Sequence, residues 1–104
     1  MDRLTQILRQ EVQKYAGSGR GANLRLFSLM DDAQQIYAVN AVDYPVCEEV
    51  AAVVVLARIS GDRIVIEEDT TDKKLVDALL QQGITRDHII LAYEGESIPE
   101  GNPV

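Results

Sequence analysis

The densest set of groups able to do chemistry is Glu67, Glu68, Asp69 and Asp72. Carboxylates at this density can hold a hard cation such as Mg²⁺ or Ca²⁺. A calcium loop also needs a glycine at its sharp turn and a distal glutamate, and that spacing is missing. The same residues have a structural use. Asp69, Thr70 or Thr71 can cap a following helix, and Asp72 in its first turn suits the positive end of the helix dipole. The cap is the preferred reading.

His88, the single histidine, rules out any two-histidine metal site. Between Asp87 and an apolar run it can act as a general base, but a local hydrogen bond at the start of a strand explains it as well. Cys47 is the single cysteine. Its neighbours Glu48 and Glu49 raise a thiol pKa, which works against a nucleophile. Ser18, Ser28, Ser60 and Ser97 lie in no Gly-x-Ser-x-Gly elbow. The glycine-rich run Gly17-Ser18-Gly19-Arg20-Gly21 follows a helix and precedes a strand. Phosphate loops have the opposite order, so this run is a connector. The sequence therefore implies no catalytic residues, no cofactor and no metal, and an interaction module rather than an enzyme.

The elements around these residues are well punctuated. Leu4, Ile7, Leu8, Val12 and Tyr15 recur at helical spacing, which predicts a helix over residues 2–16 with Asp2 as N-cap. Residues 24–30 and 36–42 read as strands around the turn Asp31-Asp32-Ala33. In the first of them the buried face is open, because Leu24, Leu26 and Met30 compete with Phe27 and Leu29. Residues 50–59 form a near-continuous apolar run, which implies a central strand buried on both faces. Ser60-Gly61-Asp62 turns into a fourth strand over residues 63–67. Leu75, Val76, Leu79 and Leu80 share one face of a second helix, which Gly83 ends with Ile84 folding back onto Leu79. Residues 89–93 make the last strand.

Short turns between consecutive strands imply a four-strand antiparallel meander, with both helices on one face of the sheet. The class is α+β: helix, four strands, helix, strand. One domain covers residues 1–94, and residues 95–104 form an acidic Pro/Gly tail expected to be loop or disordered unless a partner orders it.

The chain has 104 residues, 46% of them apolar, and a net charge of −7. That is enough for one modest core. The ten Lys and Arg are scattered, with only Lys73 and Lys74 adjacent. A protein that neutralises DNA phosphates unaided needs a basic patch, so direct nucleic-acid binding is disfavoured. A lone cysteine, a polar N-terminus and no long apolar run point to a cytoplasmic protein without a membrane span.

At this point the residues carry a family likeness. Ile59, Gly61, Arg63, Ile64 and Ile66 mark a strand-turn-strand, and Asp69, Thr71 and Asp72 start a helix. Gly83-Ile84-Thr85-Arg86-Asp87-His88-Ile89-Ile90-Leu91-Ala92-Tyr93 then follows. Together they resemble the XisI-like proteins, controlling factors for excision of the fdxN element in cyanobacterial genomes. Leu4-Thr5 and Tyr15-Ala16 extend the likeness to the first helix, and Asp31, Asp32 and Tyr37 to the hairpin.

The resemblance implies an accessory factor of site-specific recombination rather than a recombinase. It would act through protein–protein contacts, as a homo-oligomer or with an XisH-like companion. No catalytic or metal residue transfers with it. The chain departs from the family pattern in two places. Ala41-Val42-Asp43-Tyr44 followed by Glu48-Glu49 replaces a Gly-Trp pair and a basic segment, and the acidic tail replaces a basic, aromatic extension. Asp43, Tyr44, Glu48, Glu49 and Tyr93 are therefore the expected partner surface. Two alternatives remain: a direct DNA-binding regulator, and a small ligand-binding or enzymatic domain built on residues 67–72.

Overall fold

The computed structural model of the chain describes residues 2–18, 24–43 and 52–98. Asp2 holds extended backbone, and its carboxylate accepts the Thr5 N–H at 2.7 Å. That bond satisfies one of the donors a helix start leaves open. Helix α1 (Arg3–Gln13) buries Ile7, Leu8 and Val12, with Leu4 and Tyr15 packed beside them. It ends before the expected residue 16. Lys14 is its C-cap, and Tyr15 and Ala16 close the turn through the Val12 and Gln13 carbonyls at 3.0 Å.

Among the described residues the sheet has six strands in sequential order. They are β1 (Gly17–Ser18), β2 (Leu24–Asp31), β3 (Ile36–Asp43), β4 (Ala52–Ser60), β5 (Arg63–Asp69) and β6 (Ile89–Leu91). The expected antiparallel meander is β2 to β5. Two features add to it. The start of the glycine-rich connector pairs with β2 as the two-residue β1. At the other edge β6 lies parallel to β5, because helix α2 (Leu75–Gln81) intervenes and carries the chain back to the same end. The last strand stops at Leu91, and residues Ala92–Glu94 turn in a 3-10 helix ending at Gly95.

Alternation along the strands sorts their side chains into two faces. One face presents Tyr37, Val39, Val55, Ala57, Ile64, Ile66, Ile89 and Leu91 to α1 and α2. Leu26 and Met30 of β2 pack at its margin, which settles the ambiguity of that strand. Full burial of each Val, Leu or Ile in this core stabilises the fold by about 1.5–3 kcal/mol. Both helices contribute to this one core, as expected: α1 touches β2, β3, β4 and α2.

The other face differs from expectation at β4. Only Val55 and Ala57 of that strand are buried, and Val53 stays 41% exposed. The cause is architectural. With both helices on the core side, no described element covers the outer side of β2–β4. No helix among the described residues is long and apolar enough to cross a membrane.

Candidate functional site

The acidic cluster resolves into separate structural roles. Asp69, the last residue of β5, is buried at 4% exposure and turns its carboxylate onto the start of α2. One oxygen accepts the Thr71 N–H at 2.9 Å and the Thr71 hydroxyl at 2.5 Å; the other accepts the Leu75 N–H at 2.7 Å. Lys74 holds the formal N-cap position without a side-chain capping bond, its ammonium donating instead to the Asp69 carbonyl at 3.1 Å, so the Leu75 N–H is capped from six residues upstream. Glu68 accepts the Asp69 N–H at 3.1 Å. Glu67 pairs with Arg58 at 2.8 Å, and Asp72 is exposed. The carboxylates point to different partners, and among the described residues no group of three His, Cys, Asp or Glu converges as metal ligands.

Two tyrosines flank this cap. The Tyr15 hydroxyl donates to the Lys73 carbonyl, tying the end of α1 to the start of α2. Burial pushes the Tyr15 phenol up, and the Asp69 carboxylate adds to the effect. Tyr93 lies half-buried against the core in the 3-10 turn after β6. Burial raises its phenol too, with Asp69, Glu94 and Asp77 contributing.

The rest of the expected partner surface falls differently. Asp43 ends β3, paired in register with Leu24. Tyr44, Glu48 and Glu49, and Cys47 with them, lie outside the described residues.

His88 closes the 3-10 turn before β6. Its Nδ1 shares a 3.0 Å hydrogen bond with the Thr85 hydroxyl, and Nε2 stands 3.8 Å from Asp62. A separate side-chain hydrogen bond between Thr85 and Asp87, with help from His88 and Arg63, holds the Asp87 carboxyl below the usual range. Glu96 folds back onto the same end. It accepts the Leu91 N–H at 2.8 Å and pairs with Arg86 at 2.6 Å. Those bonds hold its carboxyl low. The tail expected to be loop is anchored here at its first residues.

The Asp31-Asp32-Ala33 turn docks on α1. Asp32 meets Arg9 at 3.2 Å and accepts the Tyr37 hydroxyl at 2.8 Å. The Tyr37 phenol is pushed up to about 12, first by burial and then by that carboxylate.

The feature that sequence reasoning did not single out is the uncovered side of β2–β4. Phe27 is 44% and Leu29 54% exposed, and the Arg25 guanidinium lies 5.2 Å over the Phe27 ring. Cross-strand pairing sets two rows on this face: Phe27, Asn40 and Val53, then Leu29, Ala38 and Leu56. Such rows of directly opposed residues are the packing unit of a sheet. Asn40 sits between two apolar neighbours. Its Oδ1 is shut off from solvent and has no hydrogen-bond partner among the described residues. The signal was present in the sequence. Apolar residues on both faces of β2 and along all of β4 mark a sheet that is apolar on its second side as well.

A family model described as XisI protein matches residues 1–100. Among solved structures the fold is similar to two from Anabaena variabilis ATCC 29413. One is a XisI-like protein, with a TM-score of 0.76 at 17% identity, covering 94% of this chain and 88% of that one. The other is the fdxN element excision controlling factor XisI, with a TM-score of 0.63 at 21% identity, covering 93% and 88%. A search of curated proteins finds no match.

Proposed function

Given that the chain belongs to the XisI family, we propose that it is an accessory factor in the control of DNA element excision, acting through protein–protein contacts and without catalysis of its own. The observation that carries this reading is the family match along residues 1–100. The likeness of fold to an excision controlling factor agrees with it. The residues give it physical support. The carboxylates at 67–72 are engaged in a helix cap and an ion pair rather than turned into a common pocket. The scattered basic residues and the net charge of −7 favour a protein partner over phosphates.

The partner is an XisH-like protein, a second copy of the chain, or both. Affinity capture with the tagged full chain, using the product of the adjacent gene as prey, tests the first. Stoichiometric capture is the expected result. A chain that stays monomeric and retains no partner overturns the proposal, as does tight, salt-sensitive binding of duplex DNA by the chain alone.

A further inference from the structure

The isolated fold leaves a contradiction on the outer side of β2–β4. The sequence spends apolar residues there as if for a core, yet Phe27, Leu29 and Val53 are 44%, 54% and 41% exposed. In their midst the Asn40 carboxamide oxygen is desolvated without a partner, a state that costs about 1–3 kcal/mol. Exposed apolar patches of this kind mark interaction sites. Three observations identify the occupant.

The first is shape. A sheet face made of aligned apolar rows is complementary to another sheet, which packs on it about 10 Å away. The second is the symmetry of the rows about β3, the middle strand of the patch. A two-fold axis along β3 lays β2 of each copy over β4 of the other. Phe27 then meets the partner's Val53, Leu29 the partner's Leu56, and Ala38 and Asn40 their own mates. A carboxamide carries both a donor and an acceptor. A half-turn about its Cβ–Cγ bond turns Oδ1 outward, where the mate's Nδ2–H donates to it.

The third is charge. At the end of the same rows, Asp31 of β2 and Arg58 of β4 both lie opposite Ile36 of β3. The axis brings Asp31 of each copy to the partner's Arg58. The guanidinium already pairs with Glu67, and its five donors can serve a second carboxylate. The three strands β2–β4, about eight residues each at about 4.8 Å spacing and 3.3 Å per residue, span about 380 Å² per copy. The total of about 760 Å² is the size of a weak, reversible interface.

We infer that the outer face of β2–β4 is where a second copy of this chain docks, sheet on sheet, about a two-fold axis along β3. This rests on the reading of the chain as a protein that works through protein contacts, and it names the surface. Isologous contacts of this type close on themselves and give a dimer rather than a filament.

The test is sedimentation velocity of the purified full chain with two variants, Leu29→Glu and Leu56→Lys. Wild type is expected at twice the 11.5 kDa chain mass. Each variant alone should be monomeric, with an unchanged far-UV spectrum and a dissociation constant raised about 100-fold or more. Mixing the two restores a dimer, because the axis sets Glu at position 29 of one copy against Lys at position 56 of the other.

A wild-type chain that is monomeric throughout the micromolar range overturns the inference. So does a dimer that Leu29→Glu leaves intact. A monomeric wild type whose capture by another protein is lost in Leu29→Glu assigns the face to that protein: the accessory reading then stands and the second copy falls. An intact dimer that captures no companion leaves this inference standing, and counts against the accessory reading only as far as an XisH-like partner is concerned.

Discussion

At the scale of single residues, chemistry that looked functional is used to hold the fold. Asp69, the last residue of β5, accepts the Leu75 N–H at the start of α2 and both the N–H and the hydroxyl of Thr71 in the link before it. Asp69→Ala leaves the Leu75 and Thr71 N–H groups without acceptors and should destabilise the protein by about 2 kcal/mol. The readout is a lowered urea midpoint with an unchanged slope. Asp69→Asn, which keeps one acceptor oxygen, should lose less.

Glu96 gives a pH signature. Its carboxyl is held below the ordinary 4.5 by the Leu91 N–H and then by Arg86. A depressed folded pKa means the contribution is present above the unfolded pKa and is lost as pH falls through the folded one. The Leu91 amide resonance should therefore titrate with a midpoint under 4.5 in an NMR pH series. In Glu96→Gln it should stay flat through that range. A midpoint at or above the ordinary value contradicts the geometry.

At the scale of elements, α2 ends in a six-to-one bond from the Ile84 N–H to the Leu79 carbonyl and a second from Gly83 to Leu80. Gly83 supplies the φ of 95° that this stop requires. An added Cβ meets only an ordinary contact, 3.5 Å from Arg3, so the cost of Gly83→Ala is backbone strain of about 1 kcal/mol. Thermal unfolding should show a drop of a few degrees.

This cap was legible in the sequence because its whole mechanism lies within six consecutive residues. The Asp2 cap and the turns at residues 31–33 and 60–62 were legible for the same reason. Pairing between distant segments was not. The parallel placement of β6 beside β5 depends on where α2 delivers the chain, which no local spacing encodes. The buried side of β2 stayed ambiguous for a different reason: Leu26 and Met30 face the helices, while Phe27 and Leu29 are equally apolar on the outside. Of the expected partner surface only Asp43 and Tyr93 lie among the described residues, and Tyr93 packs against the core.

At the scale of the molecule, net charge and apolar surface pull association in opposite directions. Each copy carries −7, so two copies repel at long range even as the rows of Leu29, Phe27 and Val53 gain by being covered. Salt separates these effects. The Debye length falls from about 30 Å at 0.01 M to about 3 Å at 1 M. Added salt therefore removes the repulsion while leaving apolar burial in place. Self-association should strengthen several-fold between about 0.01 and 0.5 M salt, measured as dimer fraction by sedimentation equilibrium. A protein held to DNA phosphates behaves in the reverse sense, since its binding constant falls steadily with salt. A dimer that weakens as salt rises is held by its Asp31–Arg58 rim instead, and Arg58→Ala would then dissociate it more than Leu29→Ala. If the apolar rows dominate, that order is reversed at every salt concentration.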